Sequence, residues 1–477
     1  MPLTHQPRKG EAGMNSDTIV RFFDETFNEK KCHDLCKKYQ FIKRASSKLK
    51  GQEFIKTMVI PSKGSSSDSL KGLCKRLLKF NDKAQMSSQA LCKRINNPSA
   101  CALMKGVLNE LLIKVHEQIT YLCPRLAEGV KGFNRILVED SSLAVLNDKL
   151  ETKYKGTNRG GCSGKAQVKI DLITDISKGI LIDAQLFRGN EPDRSFAERI
   201  LSILKKGDLV IRDLGYFTIN AFRKIAEANA YFLSRLLSGV LFFLNKDHKD
   251  ALDIGMYLKQ KIFQKQNIIS INGFLGNDKI PIRLIMYRNP ENVVNKRLRE
   301  ANIVAKSKGR TMSESKRLSL HFSMFITNVS EEMLSDEVIG TVYRLRWEVE
   351  LIFKRWKSQL EIDYLKGISE NRIECLIWSR LCMIVIVELI CGYFKSVASK
   401  LFDLEISEVK LISYLLRESK FYHAIGEHKL EAFLEEMLKD TPRMLLKDRR
   451  QRRTMREKVF QGESYYRTQR FENQSVA

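Results

Sequence analysis

Tyr343, Arg346, Glu350 and Lys357 stand at offsets 0, 3, 7 and 14 within the segment TVYRLRWEVELIFKRWKSQL. At about 100° per helical residue all four side chains fall in a stripe about 60° wide, with the carboxylate set between cations. Leu345, Val349, Ile352, Phe353 and Trp356 occupy the adjacent face, so the same helix has an apolar side to bury. The plainer alternative is a surface helix in which Arg346 and Glu350 form an i, i+4 ion pair worth a few tenths of a kcal/mol.

Two acids upstream bear on that choice. Asp140 ends RILVED and Asp213 ends the apolar run of GDLVIRDLGYF. Each run reads as a buried strand that delivers a carboxylate at its C-terminal edge, with Ser141 and Ser142 opening the loop after the first and a glycine turn after the second. A lone Asp at a strand end is usually a turn former or a helix cap. Three carboxylates from two strands and a helix are another matter, since they can hold two divalent cations about 3.5 to 4 Å apart, an arrangement suited to phosphodiester chemistry. Hard oxygen ligands suit Mg²⁺ or Mn²⁺.

On these residues the chain resembles a DDE-type bacterial insertion-sequence transposase of the insertion-sequence-four family, the group marked by the Tyr-Arg-Glu-Lys helix. The likeness runs in order through SKLKGQEFI, LVEDSS, KAQVKIDLITD, IRDLGYF, YFLSRL, FITNVS and YRLRWEVELIFKRWK, covering most of residues 40 to 400. The resemblance implies a catalytic and metal-binding triad of Asp140, Asp213 and Glu350, with DNA-phosphate contacts at Tyr343, Arg346 and Lys357. It also brings Arg235, in the FLSRL strand, close to DNA. The implied partners are transposon terminal inverted repeats and target DNA, handled by a homodimer because paired ends need two protomers. The implied reaction is metal-dependent cleavage at the element ends followed by strand transfer. The competing readings are a DNA-binding protein that keeps this architecture without its activity, and a nuclease of the same fold without strand transfer.

Composition agrees. Lys and Arg number 82 against 56 acids, and the net charge of +26 favours a polyanionic partner. A hydrophobic share of 43% over 477 residues excludes a disordered basic protein. Ten scattered cysteines and no secretory signal point to reduced thiols in a cytosolic compartment, and the resemblance implies the bacterial cytoplasm, on the nucleoid, with no membrane partner. Cys32-His33-x-x-Cys36 lacks a second ligand pair at finger spacing and is not read as zinc. The apolar stretch 374–395 carries Arg380 and Glu388, so it reads as a buried core helix rather than a membrane span.

Five regions follow. Residues 1–129 are a helical DNA-binding region, with a helix over NSDTIVRFFDETF, a break near Asn97 and Pro98, and Lys48, Lys50, Lys93 and Arg94 as candidate phosphate contacts. Residues 130–240 are the first part of an α/β, ribonuclease-H-like mixed sheet: three strands, a helix over SFAERILSILKK, a strand, a helix over INAFRKIAEA and a fifth strand. Residues 241–335 are a β-rich insertion, 336–400 complete the core with the Glu350 helix, and 401–477 hold C-terminal helices and the Arg-rich LLKDRRQRRTMREK. In some relatives the insertion supplies a Trp on which a flipped base stacks during hairpin formation. Here Trp347, Trp356 and Trp378 all lie outside it. Phe322 or Phe325 could take that place, or could belong to the core of the sheet.

Overall fold

The computed structural model describes residues 16–42, 49–60, 69–81, 86–119, 132–157, 164–402, 406–417, 421, 424–425 and 429–444. Lys48 and the Arg-rich segment after 444 lie outside them.

Six helices come first: α1 (Ser16–Phe27), α2 (Glu29–Lys38), α3 (Gly51–Val59), α4 (Leu70–Phe80), α5 (Ser88–Ile95) and α6 (Pro98–Ile119). The break between the last two falls where the sequence places it. Pro98 opens α6 at a position whose N–H would have no helical partner, and the Asn97 side chain accepts a hydrogen bond from the Ser99 N–H at 3.0 Å.

The apolar runs then form β1 (Ile136–Val145), β2 (Gln167–Asp175), β3 (Ile180–Arg188), β4 (Leu209–Arg212) and, after α7 (Ile219–Glu227), β5 (Tyr231–Arg235). β1, β2 and β3 pair antiparallel, while β4 lies parallel to both β1 and β5. The next segment alternates strands with helices: β6 (Phe242–Phe243), α8 (Ile254–Phe263), β7 (Ile268–Leu275), β8 (Ile280–Arg288), α9 (Glu291–Ser307), α10 (Glu314–Ser319) and β9 (Phe322–Thr327). Its strands do not stand apart. β9 pairs with β5, and all nine strands make one sheet in the order β3-β2-β1-β4-β5-β9-β8-β7-β6.

Both faces of the first strands are covered. Ile136, Val138, Leu209 and Ile211 pack into a core shared with α6 and the helices that follow β9. Leu137, Val210 and Phe232 face the other way, onto Phe222 and Ile225 of α7. Those later helices are α11 (Ile339–Tyr343), α12 (Arg346–Leu360), α13 (Glu370–Phe402), α14 (Glu408–Arg417) and α15 (Leu430–Met444).

Three local expectations are corrected. β1 does not end at Asp140: Ser141 and Ser142 continue it, because β2 supplies partners as far as Val145↔Gln167. The helix expected over SFAERILSILKK is two 3₁₀ turns, Asp193–Phe196 and Arg199–Ser202, and Arg199 there reaches inward to Asp171 and Asp183. Third, the Tyr-Arg-Glu-Lys segment is not one regular helix. Arg344 and Leu345 donate to Thr341 and Val342 at i−3, a 3₁₀ tightening that separates α11 from α12 and leaves Tyr343 at the end of the shorter helix.

α13 is long and apolar enough to cross a membrane, yet 89% of its most apolar window is buried in the protein. Two of its charges, Glu388 and Arg380, grip α12. Glu388 accepts from Arg355 and from the Trp356 indole at 2.6 and 3.1 Å. Arg380 donates to the carbonyl of Glu361, the left-handed residue (φ 48°) that ends α12, at 2.6 Å.

Candidate active site

Each acid arrives on a different element. Asp140 sits in β1, two residues past the last pairing with β4, Val138↔Ile211. Since alternate residues share a face of a strand, Asp140 lies on the same side as Ile136 and Val138, toward α12. Asp213 follows β4 directly and caps the 3₁₀ turn after it, accepting from the Gly215 N–H at 3.2 Å. Counting from Leu209 and Ile211 it takes the same face as Asp140. Glu350 stands one turn into α12 and is brought over the end of β1 by Val349 and Phe353, which bury the helix's other side. Lys357 fastens the far end of that contact by donating to the Leu143 carbonyl of β1 at 3.1 Å.

The three carboxylates meet at one guanidinium. Arg346 lies 2.7 Å from Glu350, 3.6 Å from Asp213 and 4.0 Å from Asp140. The i, i+4 ion pair of the plainer reading is therefore present, but it is part of a larger convergence. Arg346 is 12% exposed, against 19% for Asp140, 40% for Asp213 and 52% for Glu350, so Asp140 is the acid least able to call on water. Its pKa is pushed up to about 7 by burial, against the pull of Arg346 and the Ser141 N–H. Burial works against the charge on Arg346 too, but Asp213, Tyr343, Glu350 and Asp140 together raise its pKa above the usual guanidinium value.

Among the described residues no three acidic, Cys or His side chains form a ready metal-binding group. The group that the structure sets among the three carboxylates is an arginine, whose charge offsets theirs. The donor chemistry nonetheless suits a divalent ion: the oxygens are hard, one carboxyl is buried without full charge compensation, and a monocation already holds their common focus.

Asp140, Ser141 and Ser142 of β1 and Glu350, Lys354 and Lys357 of α12 line a cleft of about 570 Å³. Asp213 is not in its lining and joins the site through Arg346. Lys354, one turn beyond Glu350, was not singled out in the sequence; the i+4 spacing from Glu350 was the available signal. Tyr343 is buried, packs against Phe325 at 5.2 Å, and has its hydroxyl pushed up to about 12 by burial, with Asp213, Arg346 and Arg235 also acting on it. Arg235 is exposed at the end of β5. Phe322 and Phe325 are both buried in the sheet's cores, in keeping with the core alternative. Lys50 pairs with Glu29 at 3.0 Å, Arg94 donates to the Phe41 carbonyl at 3.3 Å, and Lys93 is exposed.

Comparison with known proteins identifies the family. Residues 131–386 match the family described as Transposase DDE domain, more than half of the chain. The chain is 29% identical over 414 residues to the transposase for insertion sequence element IS231F of Bacillus thuringiensis subsp. israelensis, covering 84% of each protein. It is 24% identical over 450 residues to the transposase for insertion sequence element IS1151 of Clostridium perfringens, covering 91% of this chain and 93% of that one. A piggyBac transposase synaptic complex with hairpin DNA aligns at a TM-score of 0.38 and 11% identity over 94% of this chain and 88% of that chain, a likeness too loose to argue from. With its acids on β1, after β4 and on α12, all inside the matched segment, the chain belongs to the DDE-domain transposases of the insertion-sequence-four group.

Proposed function

We propose that Asp140, Asp213 and Glu350 are the catalytic carboxylates with which this transposase cleaves DNA at transposon ends and joins it to target DNA. The observation that supports this is the convergence of all three on Arg346, from elements 73 and 137 residues apart in the chain. The core reads as ribonuclease-H-like, supported by the antiparallel β3-β2-β1 followed by parallel β4 and β5, with α7 as the crossover between the parallel pair.

Family membership implies divalent metal dependence. Asp140, Asp213 and Glu350 would hold the metal, two Mg²⁺ or Mn²⁺ ions in our reading, and when bound it supplies activation of the attacking oxygen and charge neutralisation at the leaving one. The chain's own residues do the rest. β1 and β4 hold the two aspartates on one face, and α12, clamped by Arg380 and Glu388, lays Glu350 across them. Arg346 offers a forked donor to a phosphate that displaces its carboxylates, Lys357 and Arg235 act as further cations, and Tyr343 braces the arginine. Hydrolysis at the element end frees a 3′-hydroxyl, and the same groups then align that hydroxyl on target DNA, positioning being the larger part of the catalysis. The partners in this reading are the terminal inverted repeats and target DNA, gathered by a homodimer on the bacterial nucleoid, in the cytoplasm.

Nicking of end-sequence DNA by the full chain in Mg²⁺ tests the assignment. Asp213→Asn and Glu350→Gln keep DNA binding and lose nicking; a variant that still nicks removes its residue from the site.

A further inference from the structure

Directly behind the two aspartates lies a buried ionic layer. Glu139 and Arg212, the residues preceding Asp140 and Asp213, point to the opposite face of the sheet and form an ion pair at 3.2 Å with neither side chain exposed to solvent. Arg199 stands 3.6 Å from the same Glu139 carboxylate and also binds Asp171 and Asp183. The Tyr216 hydroxyl donates to Asp171, and Arg212 reaches the Tyr216 carbonyl at 3.4 Å.

Burying such a pair brings no assured gain in stability, since well-packed apolar side chains of similar volume commonly do as well or better. Its position suggests what it does supply. β4 has only four residues, and its pairing with β1 runs through Ile136↔Leu209, Leu137↔Val210 and Val138↔Ile211. Those residues are apolar and buried on both faces, so a slip of one residue would exchange one apolar side chain for another. Hydrophobic patterning specifies register only where the two faces differ. Beyond the apolar pairings, a slip is penalised at Glu139 and Arg212 on the side of the aspartates, and at Arg135 and Asp208, a second buried ion pair at 2.5 Å, at the opposite end. Asp140 and Asp213 follow Glu139 and Arg212 directly.

We propose that the Glu139–Arg212 ion pair is the positioning element that fixes the register of β1 on β4 at the end that carries the aspartates and so brings Asp140 level with Asp213. The inference rests on the assignment of those aspartates as catalytic. Both residues act through their neighbours, from the far side of the sheet.

The test uses the full-length double variant Glu139→Met with Arg212→Met, which removes both charges and keeps the volume. Three quantities are measured: end-DNA affinity, nicking rate, and the half-saturating Mn²⁺ concentration read from the free-ion spin-resonance signal without DNA. The expected result is a folded protein with end-DNA affinity unchanged within about twofold, and a nicking rate and Mn²⁺ affinity each lowered about 10- to 100-fold. Wild-type Mn²⁺ affinity and nicking in the folded double variant would overturn the proposal. If the double variant does not fold, Arg212→Lys decides, because it keeps the charge but loses the fork that bridges Glu139 and Tyr216. Weakened Mn²⁺ binding in it supports the proposal and unchanged binding overturns it. Asp213→Asn is run alongside: nicking that survives in it defeats the catalytic assignment, whereas lost nicking with an indifferent ion pair defeats only the positioning role.

Discussion

Replacing Arg346 by alanine should destabilise the metal-free protein, and by an amount that depends on pH. Arg346 is the cation between Asp140, Asp213 and Glu350 at 4.0, 3.6 and 2.7 Å. Asp213 and Glu350 are 40% and 52% exposed and can fall back on water, so the loss centres on Asp140, 19% exposed. Removing one member of a buried pair costs roughly 3–5 kcal/mol when the other charge is trapped; with two of the three acids solvated and the third able to bind a proton, about 1–2.5 kcal/mol at pH 8 is the expected figure. Asp140 can escape the penalty by binding a proton. Its carboxyl already has a pKa of about 7 with Arg346 present, above the usual value of about 3.9 in an unfolded chain. In the wild type, stability attributable to this group is fully present below about pH 4 and is lost as pH rises to about 7, where the folded state also ionises and the loss levels off. Without Arg346 the folded-state pKa moves higher, so the loss continues past pH 7. Urea unfolding with the divalent ions chelated, at pH 5 and pH 8, measures the difference. The variant should fall short of wild type by under about 1 kcal/mol at pH 5 and by about 1.4 kcal/mol more at pH 8, the most that proton uptake by a carboxyl of pKa about 7 allows over that interval. An equal deficit at both values would show that Arg346 contributes packing alone, and no deficit would remove it from the centre of the site.

Further outcomes follow from the same geometry. Binding a divalent ion requires Asp140 to give up its proton, so Mn²⁺ affinity should rise by up to about tenfold per pH unit below about 7 and flatten above it; titrations that are flat from pH 6 to 8 would contradict the burial of that carboxyl. Phe322→Ala should lower stability by about 3–5 kcal/mol, because the ring is buried in the sheet, while the nicking rate per folded molecule stays at the wild-type value; loss of nicking in a folded variant would return the ring to the DNA. Glu388→Leu strips Arg355 and the Trp356 indole of an acceptor, and should slow nicking more than it weakens end-DNA binding, as comparison of single-turnover rates with equilibrium binding would show. Equal effects on both would mean that α13 does not position α12.

Much of the site was legible because it depends on local regularities. An apolar run that ends in an acid marks a strand and the carboxylate it delivers, and β4 with Asp213 follows that rule closely. The spacing of Arg346, Glu350 and Lys357 is a helical period, and α12 keeps it. Break and cap chemistry at Asn97 and Pro98 is likewise written in adjacent residues. What stayed hidden depends on partners distant in the chain. That β1 runs on through Ser141 and Ser142 was decided by β2. That the segment breaks into α11 and α12 was decided by the tightened turn before Arg346, with Tyr343 buried against Phe325.

By itself, the sequence determined the kinds of groups present, the faces on which local periodicity sets them, and the family to which their order belongs. Only the tertiary structure decided that an arginine, which the resemblance makes a phosphate contact, is the hub at which three acids meet. It alone showed that the charges interrupting an apolar helix, Arg380 and Glu388, clasp α12. The reason is that periodicity records which way a side chain points, whereas a charge finds its counter-charge wherever folding removes both from water, and that pairing leaves no mark on the spacing of either residue.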